Sequence, residues 1–441
     1  MFLSKIILTG EFTIVRVIDT SKFDAMASIL ADIAQRHRSR QNGETSETLY
    51  YELMARYFKL IQDSLRESRP VVAYNGFVPP ELLYALDIAP MQMESASNGT
   101  VATLKIHDEV LALSQDVGRW LDICSSRRIE SAMLAQGWIP RPSAIVWGNN
   151  SCDPNAKAGY LIKYHYGVPG FFLDRSFRAN EKDRQYYAGE LGELVHFLER
   201  LTGNTMDRGR LRQVVDNAWE MSQLHREICD LQGAVPCPMS NRQGSQVVAI
   251  GSMFSGTEEG VNYLQMVRDE LQSSVKKKVG FAYREKHRLI GLFHAPTYVL
   301  KILDWMEREQ DAVIVAEPFS SHWGEWEVVP NDLLGSLAAK CFAIPNSRQL
   351  HGPAHEAAIP DAVGDALKYK ADGAIYWANV TCPQCLSMIR LLTDALQEKA
   401  GIPTLVLHMD TMDPSSASHE EIKAKIEDFM ERLSKRKQQP G

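Results

Sequence analysis

Residues 120–174, WLDICSSRRIESAMLAQGWIPRPSAIVWGNNSCDPNAKAGYLIKYHYGVPGFFLD, decide how the chain is read. The apolar run Ser143–Trp147 has the length and composition of a buried strand. Cys152 follows it after a short polar turn, and Asp153-Pro154 and a helical pattern follow Cys152. The thiol is therefore expected on a turn at the C-terminal end of a strand, the edge where open α/β sheets bind ligands. Cys124 falls in a loop or helix start just after the helical pattern Val110–Leu121. The Cys152 arrangement recurs far down the chain as strand Gly373–Asn379, then Thr381-Cys382-Pro383, then a helix. Two strand-end thiols and one loop thiol would meet at a single cleft if the two halves of the chain face each other.

Outward from that stretch, the pattern alternates between strand and helix. Pro70–Tyr74 reads as a first strand, followed by a turn at Gly76–Pro80 and a helix opening at Glu81. A second strand, Ala89–Met93, leads into the polar loop Glu94–Gly99, and strands at 143–148 and 170–174 complete four. Such alternation predicts a parallel sheet with helices on both faces. From Glu181 to about Val279 the pattern is almost wholly helical, broken by the turn Gly233–Pro238. A second set of strands follows at Arg288–Phe293, Ala312–Glu317, Gly373–Asn379 and Thr404–Met409. The stretch 318–355 contains a predicted helix, Asp332–Ala343, and otherwise reads as a long functional loop. The expected fold is α/β with two doubly wound parallel-sheet domains: a helical N-terminal region at 1–68, a first α/β domain at 69–200, a helical connector at 201–285 and a second α/β domain at 286–441.

The chain has 441 residues, 45% apolar and 23% charged, ordinary for a globular protein and long enough for two or three domains. A formal charge of −7 argues against a nucleic-acid partner, because phosphate contacts need clustered Lys and Arg. No apolar segment approaches a membrane span, and the N-terminus lacks the pattern of a signal peptide, so a cytoplasmic protein with no membrane association is expected. Seven scattered cysteines fit no disulfide framework; they are core residues or metal ligands.

Taken together, Cys124, Cys152 and Cys382 suit three corners of an iron–sulfur cube, a cofactor-binding set that leaves one iron open to an external ligand. The plainer alternative is three buried core cysteines. Cys382-Pro-Gln-Cys385 also has the spacing of a redox dithiol at a helix start. There is no GxxxxGK[ST] loop and no GxGxxG after a strand, so neither P-loop ATP binding nor the usual NAD site is expected. His294, at the end of the first strand of the second half, is a candidate proton donor or a structural hydrogen-bonder. Glu94 ends a strand on the same rim as Cys152, and Asp410 ends the last strand and caps the turn beyond it.

With these residues in hand, the chain resembles the iron–sulfur subunits of the 2-hydroxyacyl-CoA dehydratase and benzoyl-CoA reductase family. The matching pieces are Phe77-Val-Pro-Pro-Glu-Leu-Leu-Tyr-Ala-Leu-Asp-Ile-Ala-Pro90, Cys124, and Ser143-Ala-Ile-Val-Trp-Gly-Asn-Asn-Ser-Cys-Asp153. Later come Ala371–Ile375 with Cys382, Gly401–Asp410, and the closing helix at 422–433. The resemblance implies one [4Fe–4S] cluster held by Cys124, Cys152 and Cys382, with Glu94 a catalytic glutamate beside it. It also implies a homologous second cluster subunit in a heterodimer, a separate ATP-hydrolysing iron–sulfur activator as electron donor, and radical reduction of an acyl-CoA substrate. Gly76 stands where a dehydratase serine would be expected, so the implied chemistry leans toward the larger, benzoyl-CoA reductase-type subunit. An (R)-2-hydroxyacyl-CoA dehydratase subunit is the alternative. A family member acting as an electron relay or double-cubane protein without a CoA substrate is a second.

Overall fold

The computed structural model describes residues 19–40, 45–116, 123–282, 284–299, 301–321 and 323–438. Of the expected helical N-terminal region, the helices Ser21–Arg40 and Ser46–Arg66 are present. Residues 1–18, and the end of the helical pattern expected up to Leu121, lie outside the described residues.

Four strands form the first sheet: β1 (Val71–Tyr74), β2 (Ala89–Gln92), β3 (Ala144–Gly148) and β4 (Gly170–Leu173). Their order is β2-β1-β3-β4, all parallel. The second sheet contains β5 (His287–Leu292), β6 (Ala312–Ala316), β7 (Gly373–Asn379) and β8 (Thr404–Met409), parallel in the order β6-β5-β7-β8. Every residue of β1, β3, β5, β6 and β7 is buried, because helices cover both faces of each sheet. That is why β1, β3 and β6 read as continuous apolar runs. Both sheets share one winding, with the strand order reversing between β1 and β3 and again between β5 and β7. The crevices at those reversals are the ligand positions of doubly wound sheets.

The two α/β units are joined by more than sequence. One apolar core runs from Val71 and Ile145 of the first sheet through Leu224 and Ile250 of the connecting helices to Ile290 and Tyr376 of the second. Those helices are Glu181–Thr202, Arg208–Gln232, Asn241–Met253 and Glu258–Lys277. The helix Leu333–Ala343, which lies in sequence among the second set of strands, packs with Leu191, Leu194 and Val215 in the core of the first sheet.

Two stretches differ from expectation. Glu94–Gly99 is not a loop: it continues as a widened helical turn into the helix Thr100–Leu104. Ser97 Oγ folds back to donate to Met93 O at 2.7 Å, and Gln92 Oε1, just before the segment, accepts from Ser95 N at 2.6 Å. Short polar residues satisfied in this way fit a helix as readily as a loop. The segment 318–355 holds two short helices, Pro318–Ser321 and Pro345–Leu350, besides the expected one. Among the described residues, no helix is long and apolar enough to cross a membrane.

Candidate functional site

Each of the three cysteines is the N-cap of a helix. Cys124 precedes Ser125–Ala135, Cys152 precedes Asp153–Tyr166 and Cys382 precedes Pro383–Ala395. Proline in the first turn of the latter two fixes where they begin, since it has no N–H to lose there. A helix start presents unsatisfied amides worth about half a positive charge, which favours a thiolate over a thiol. All three side chains are half-buried. As free thiols they are held protonated. Burial pushes Cys124 up to about 11, Cys382 up to about 12, and Cys152 upward, while the amide of Asn155 pulls Cys152 the other way and that of Cys385 does so for Cys382. The thiols also act on each other: Cys152 raises Cys124, and both raise Cys382. The fold therefore gathers all three from separate elements into one electrostatic neighbourhood. Among the described residues, no group of three or more His, Cys, Asp or Glu is arranged to hold a single metal ion.

Beside the thiols lies a carboxylate network. Glu94, with its side chain 24% exposed, accepts on Oε1 from Asn155 Nδ2 at 2.9 Å and from the Gly76 amide at 3.3 Å, with Arg127 Nη2 also 3.3 Å away. Its Oε2 accepts from Gln92 Nε2 at 2.6 Å. Gly76 adopts φ +65°, and a Cβ there would lie 2.9 Å from Asn150 Oδ1 and 3.2 Å from Asn155 Nδ2. A side chain at 76 would thus push into the groups that hold Glu94. Arg127 is almost wholly buried and pairs with Glu130 at 2.7 Å. Burial works against its charge, but Glu130, Glu94, Cys124 and Cys152 together raise its pKa. Burial lifts Glu130 to about 7, against the pull of Arg127.

Asp410, 1% exposed, ties the two halves together at this site. Its Oδ1 accepts from the hydroxyl of Ser125, the first residue of the Cys124 helix. Its Oδ2 accepts from Thr381 Oγ1 at 2.8 Å, next to Cys382. The amides of Met412 and Asp413 donate to Oδ1 at 2.9 and 3.2 Å, the turn-capping role expected for it. Arg128 of the Cys124 helix adds an ion pair to Asp413 at 2.8 Å.

The structure therefore brings Cys124, Cys152 and Glu94 together around Arg127 and Asn155, while Cys382 is tied to the Cys124 helix through Thr381, Asp410 and Ser125. His294 is a different case. It lies just past β5, after Phe293, whose φ of +62° turns the chain sharply and whose ring stacks on Phe319 at 4.2 Å. The His294 side chain is solvent-accessible yet crowded enough that desolvation lowers its pKa. No hydrogen bond or ion pair connects it to the other four residues among those described. Cys385 is fully buried, with its Sγ 3.5 Å from the Trp377 carbonyl, a packed helix residue. Sequence reasoning passed over Arg127 and Asn155. The available signal was positional: each lies three residues after a singled-out cysteine, in the first turn of the helix that cysteine caps.

The sequence profile of the family described as 2-hydroxyglutaryl-CoA dehydratase, D-component, matches residues 75–433. The chain is 22% identical over 350 residues to one of the subunits of benzoyl-CoA reductase from Thauera aromatica, covering 74% of this chain and 79% of that protein. It is 22% identical over 379 residues to the (R)-phenyllactyl-CoA dehydratase alpha subunit of Clostridium sporogenes, covering 82% and 88%. Against the alpha subunit of (R)-2-hydroxyglutaryl-CoA dehydratase from Acidaminococcus fermentans it is 22% identical over 312 residues, covering 69% and 63%.

Proposed function

We propose, from the premise that the chain belongs to the 2-hydroxyglutaryl-CoA dehydratase D-component family, that it is a [4Fe–4S]-bearing subunit of an ATP-dependent aromatic acyl-CoA reductase of the benzoyl-CoA type. The observation that carries the reading is the set of three thiols, each at the start of a helix, with Asp410 tying the start of the Cys124 helix to the turn before Cys382. Three soft donors from separate elements, not packed as single-ion ligands, suit a polynuclear cluster, whose corners lie further apart than the ligands of one ion. Cys124, Cys152 and Cys382 would hold it, their helix starts stabilising the thiolates. A bound cluster supplies single low-potential electrons to the substrate thioester. Glu94, fixed by Asn155, Gln92 and the Gly76 amide, would stand beside the substrate as the group that holds or moves a proton. Arg127 would position that carboxylate.

Each of these relatives is named as one subunit of its enzyme, which supports a homologous second cluster subunit as partner. The family resemblance implies a separate ATP-hydrolysing activator that would deliver electrons, and the missing P-loop agrees with that division of labour. A second reading, an (R)-2-hydroxyacyl-CoA dehydratase subunit, rests on the equal identity to the phenyllactyl-CoA enzyme. Against it stands Gly76, where a dehydratase serine is expected and where a side chain would press on Asn150 and Asn155. Product analysis separates the two, a cyclic diene against an enoyl-CoA.

The test is anaerobic purification with iron and sulfide quantitation and EPR after reduction. About four irons per chain, lost in Cys124→Ser, Cys152→Ser and Cys382→Ser but kept in Cys385→Ser, is the expected result. A folded wild-type protein that takes up no iron on anaerobic reconstitution would overturn the cluster assignment.

A further inference from the structure

Between the two halves and the connecting helices lies a cavity of about 110 Å³. Residues after β1, the helices Arg208–Gln232 and Asn241–Met253, and the segment 319–346 all line it. Gly76 and Gln92, two of the residues that hydrogen-bond Glu94, are part of its lining. The cavity thus shares two residues with the groups that hold Glu94, and none of the three thiols lines it. Most of its wall is apolar, including Phe77, Val78, Val248, Phe319, Ile344 and Pro345. Its size is on the scale of an engineered apolar cavity of about 150 Å³ that admits benzene.

The rest of the wall is polar and incompletely satisfied. Lys340, 2% exposed, gives its ammonium to Glu81 and to Ser255 Oγ at 2.8 Å, which leaves its third N–H without a partner among the described residues. Trp323 Nε1, Asn346 Oδ1 and His225 Nδ1 are buried atoms that also lack a partner. His225 is 3% exposed, its ring 5.6 Å from that of Trp323. The charges in this wall cancel. Lys340 is paired with Glu81, and burial pushes His225 down to about 4, so its imidazole is neutral at pH 7. In the free protein, water can serve these atoms. An apolar ligand that displaced the water would strand them, each at a desolvation cost. A carboxylate would find no uncompensated cation to replace its hydration. A neutral group that both donates and accepts matches what the wall offers.

We propose that this cavity holds the acyl portion of the substrate and selects a ring-sized, uncharged acyl group bearing a hydroxyl at the end remote from the thioester. Lys340, Trp323 and Asn346 are its specificity-determining residues. The assignment rests on the CoA-thioester reading above and adds to it which acyl group is taken.

The test measures dissociation constants of the full chain by titration calorimetry for benzoyl-CoA, its 3- and 4-hydroxy derivatives and its 3- and 4-carboxy derivatives. At least one hydroxylated thioester should bind roughly tenfold or more tighter than benzoyl-CoA, and both carboxylated ones more weakly than that hydroxylated one. Trp323→Phe and Asn346→Leu should each lower the ratio of hydroxylated-thioester to benzoyl-CoA affinity severalfold. Equal binding of all the thioesters, or tightest binding of a carboxylated one, overturns the proposal and leaves the CoA reading standing. If no thioester binds, the CoA reading is the one in difficulty, and benzamide against 3- and 4-hydroxybenzamide then probes the cavity alone. A hydroxyl preference lost in Trp323→Phe would uphold the cavity assignment, and its absence would overturn it.

Discussion

Replacing Asp410 should test whether the three-thiol arrangement depends on the contact between the two halves. Asp410→Ala removes a buried acceptor of four hydrogen bonds, from Ser125, Thr381, Met412 and Asp413. The two hydroxyls can rotate, and Thr381 retains Asn379 Oδ1 at 2.9 Å. The two amides sit in a tight turn and cannot move away. Deleting a buried, fully bonded charge of this kind costs about 3–5 kcal/mol. Asp410→Asn keeps the shape and one acceptor oxygen for Ser125 and the amides, while its NH2 faces Thr381, so about 1–2 kcal/mol is expected. Urea unfolding of both variants against wild type gives these differences. Iron retained after anaerobic reconstitution should fall in the same order, because the start of the Cys124 helix is no longer tied to the turn before Cys382. If Asp410→Ala unfolds within about 1 kcal/mol of wild type and holds its full iron, the contact is not what brings the thiols together.

Other changes probe single groups. Glu94→Gln should lower turnover of the assembled enzyme by about a hundredfold or more, the usual contribution of a positioned acid or base, with iron content unchanged; unchanged turnover would remove Glu94 from the chemistry. Gly76→Ala combines a φ of +65° with a Cβ 2.9 Å from Asn150 Oδ1, so a loss of about 1–2 kcal/mol in urea unfolding is expected, and a neutral result would mean that the Asn150 side chain simply moves aside. His225 should make stability depend on pH: burial depresses its pKa from 6.5 to about 4, so below neutrality the unfolded chain takes up a proton that the folded chain refuses. The sign follows: stability is kept above pH 6.5 and lost as pH falls, by about 2 kcal/mol at pH 5. His225→Gln should abolish that part of the difference between pH 8 and pH 5, and an unaltered difference would show that another group is responsible.

What the sequence reveals of this protein follows from burial. Val71–Tyr74 and Ala144–Gly148 are covered on both faces, so they are apolar throughout and stand out from their surroundings. Once those strands are placed, Cys152 and Cys382 fall on strand ends without further argument. Arg127 was not legible in the same way. An arginine in a first helical turn reads as a solvated residue, and only the fold shows that Glu94 comes to meet it. Its partner Glu130, three residues on, was visible but looked like any surface ion pair. The helix Leu333–Ala343 was expected as a helix, yet its apolar face does not say which sheet it covers, and it covers the first. The cavity beyond Glu94 was hidden for a related reason, since its polar atoms come from segments far apart in the chain.

The charge balance around the thiols explains why backbone geometry carries so much at this site. Arg127 is the cation that acts on both Cys124 and Cys152, and it is already engaged by Glu130 and Glu94. Glu130, lifted to about 7, is partly protonated at neutral pH, so Arg127 is not wholly neutralised. Asp410 meanwhile opposes ionisation of Cys124. Side-chain charge therefore comes close to cancelling, and it gives three thiolates little support. Three helix starts, each worth about half a charge, supply roughly +1.5 where the sulfurs sit. A dipole cannot move to follow a ligand as a lysine can, so this support exists only where the three helices begin. The inter-half contact at Asp410 and the prolines after Cys152 and Cys382 hold those beginnings in place. It follows that a change shifting one helix start by a turn should harm the site more than a change of a single nearby surface charge.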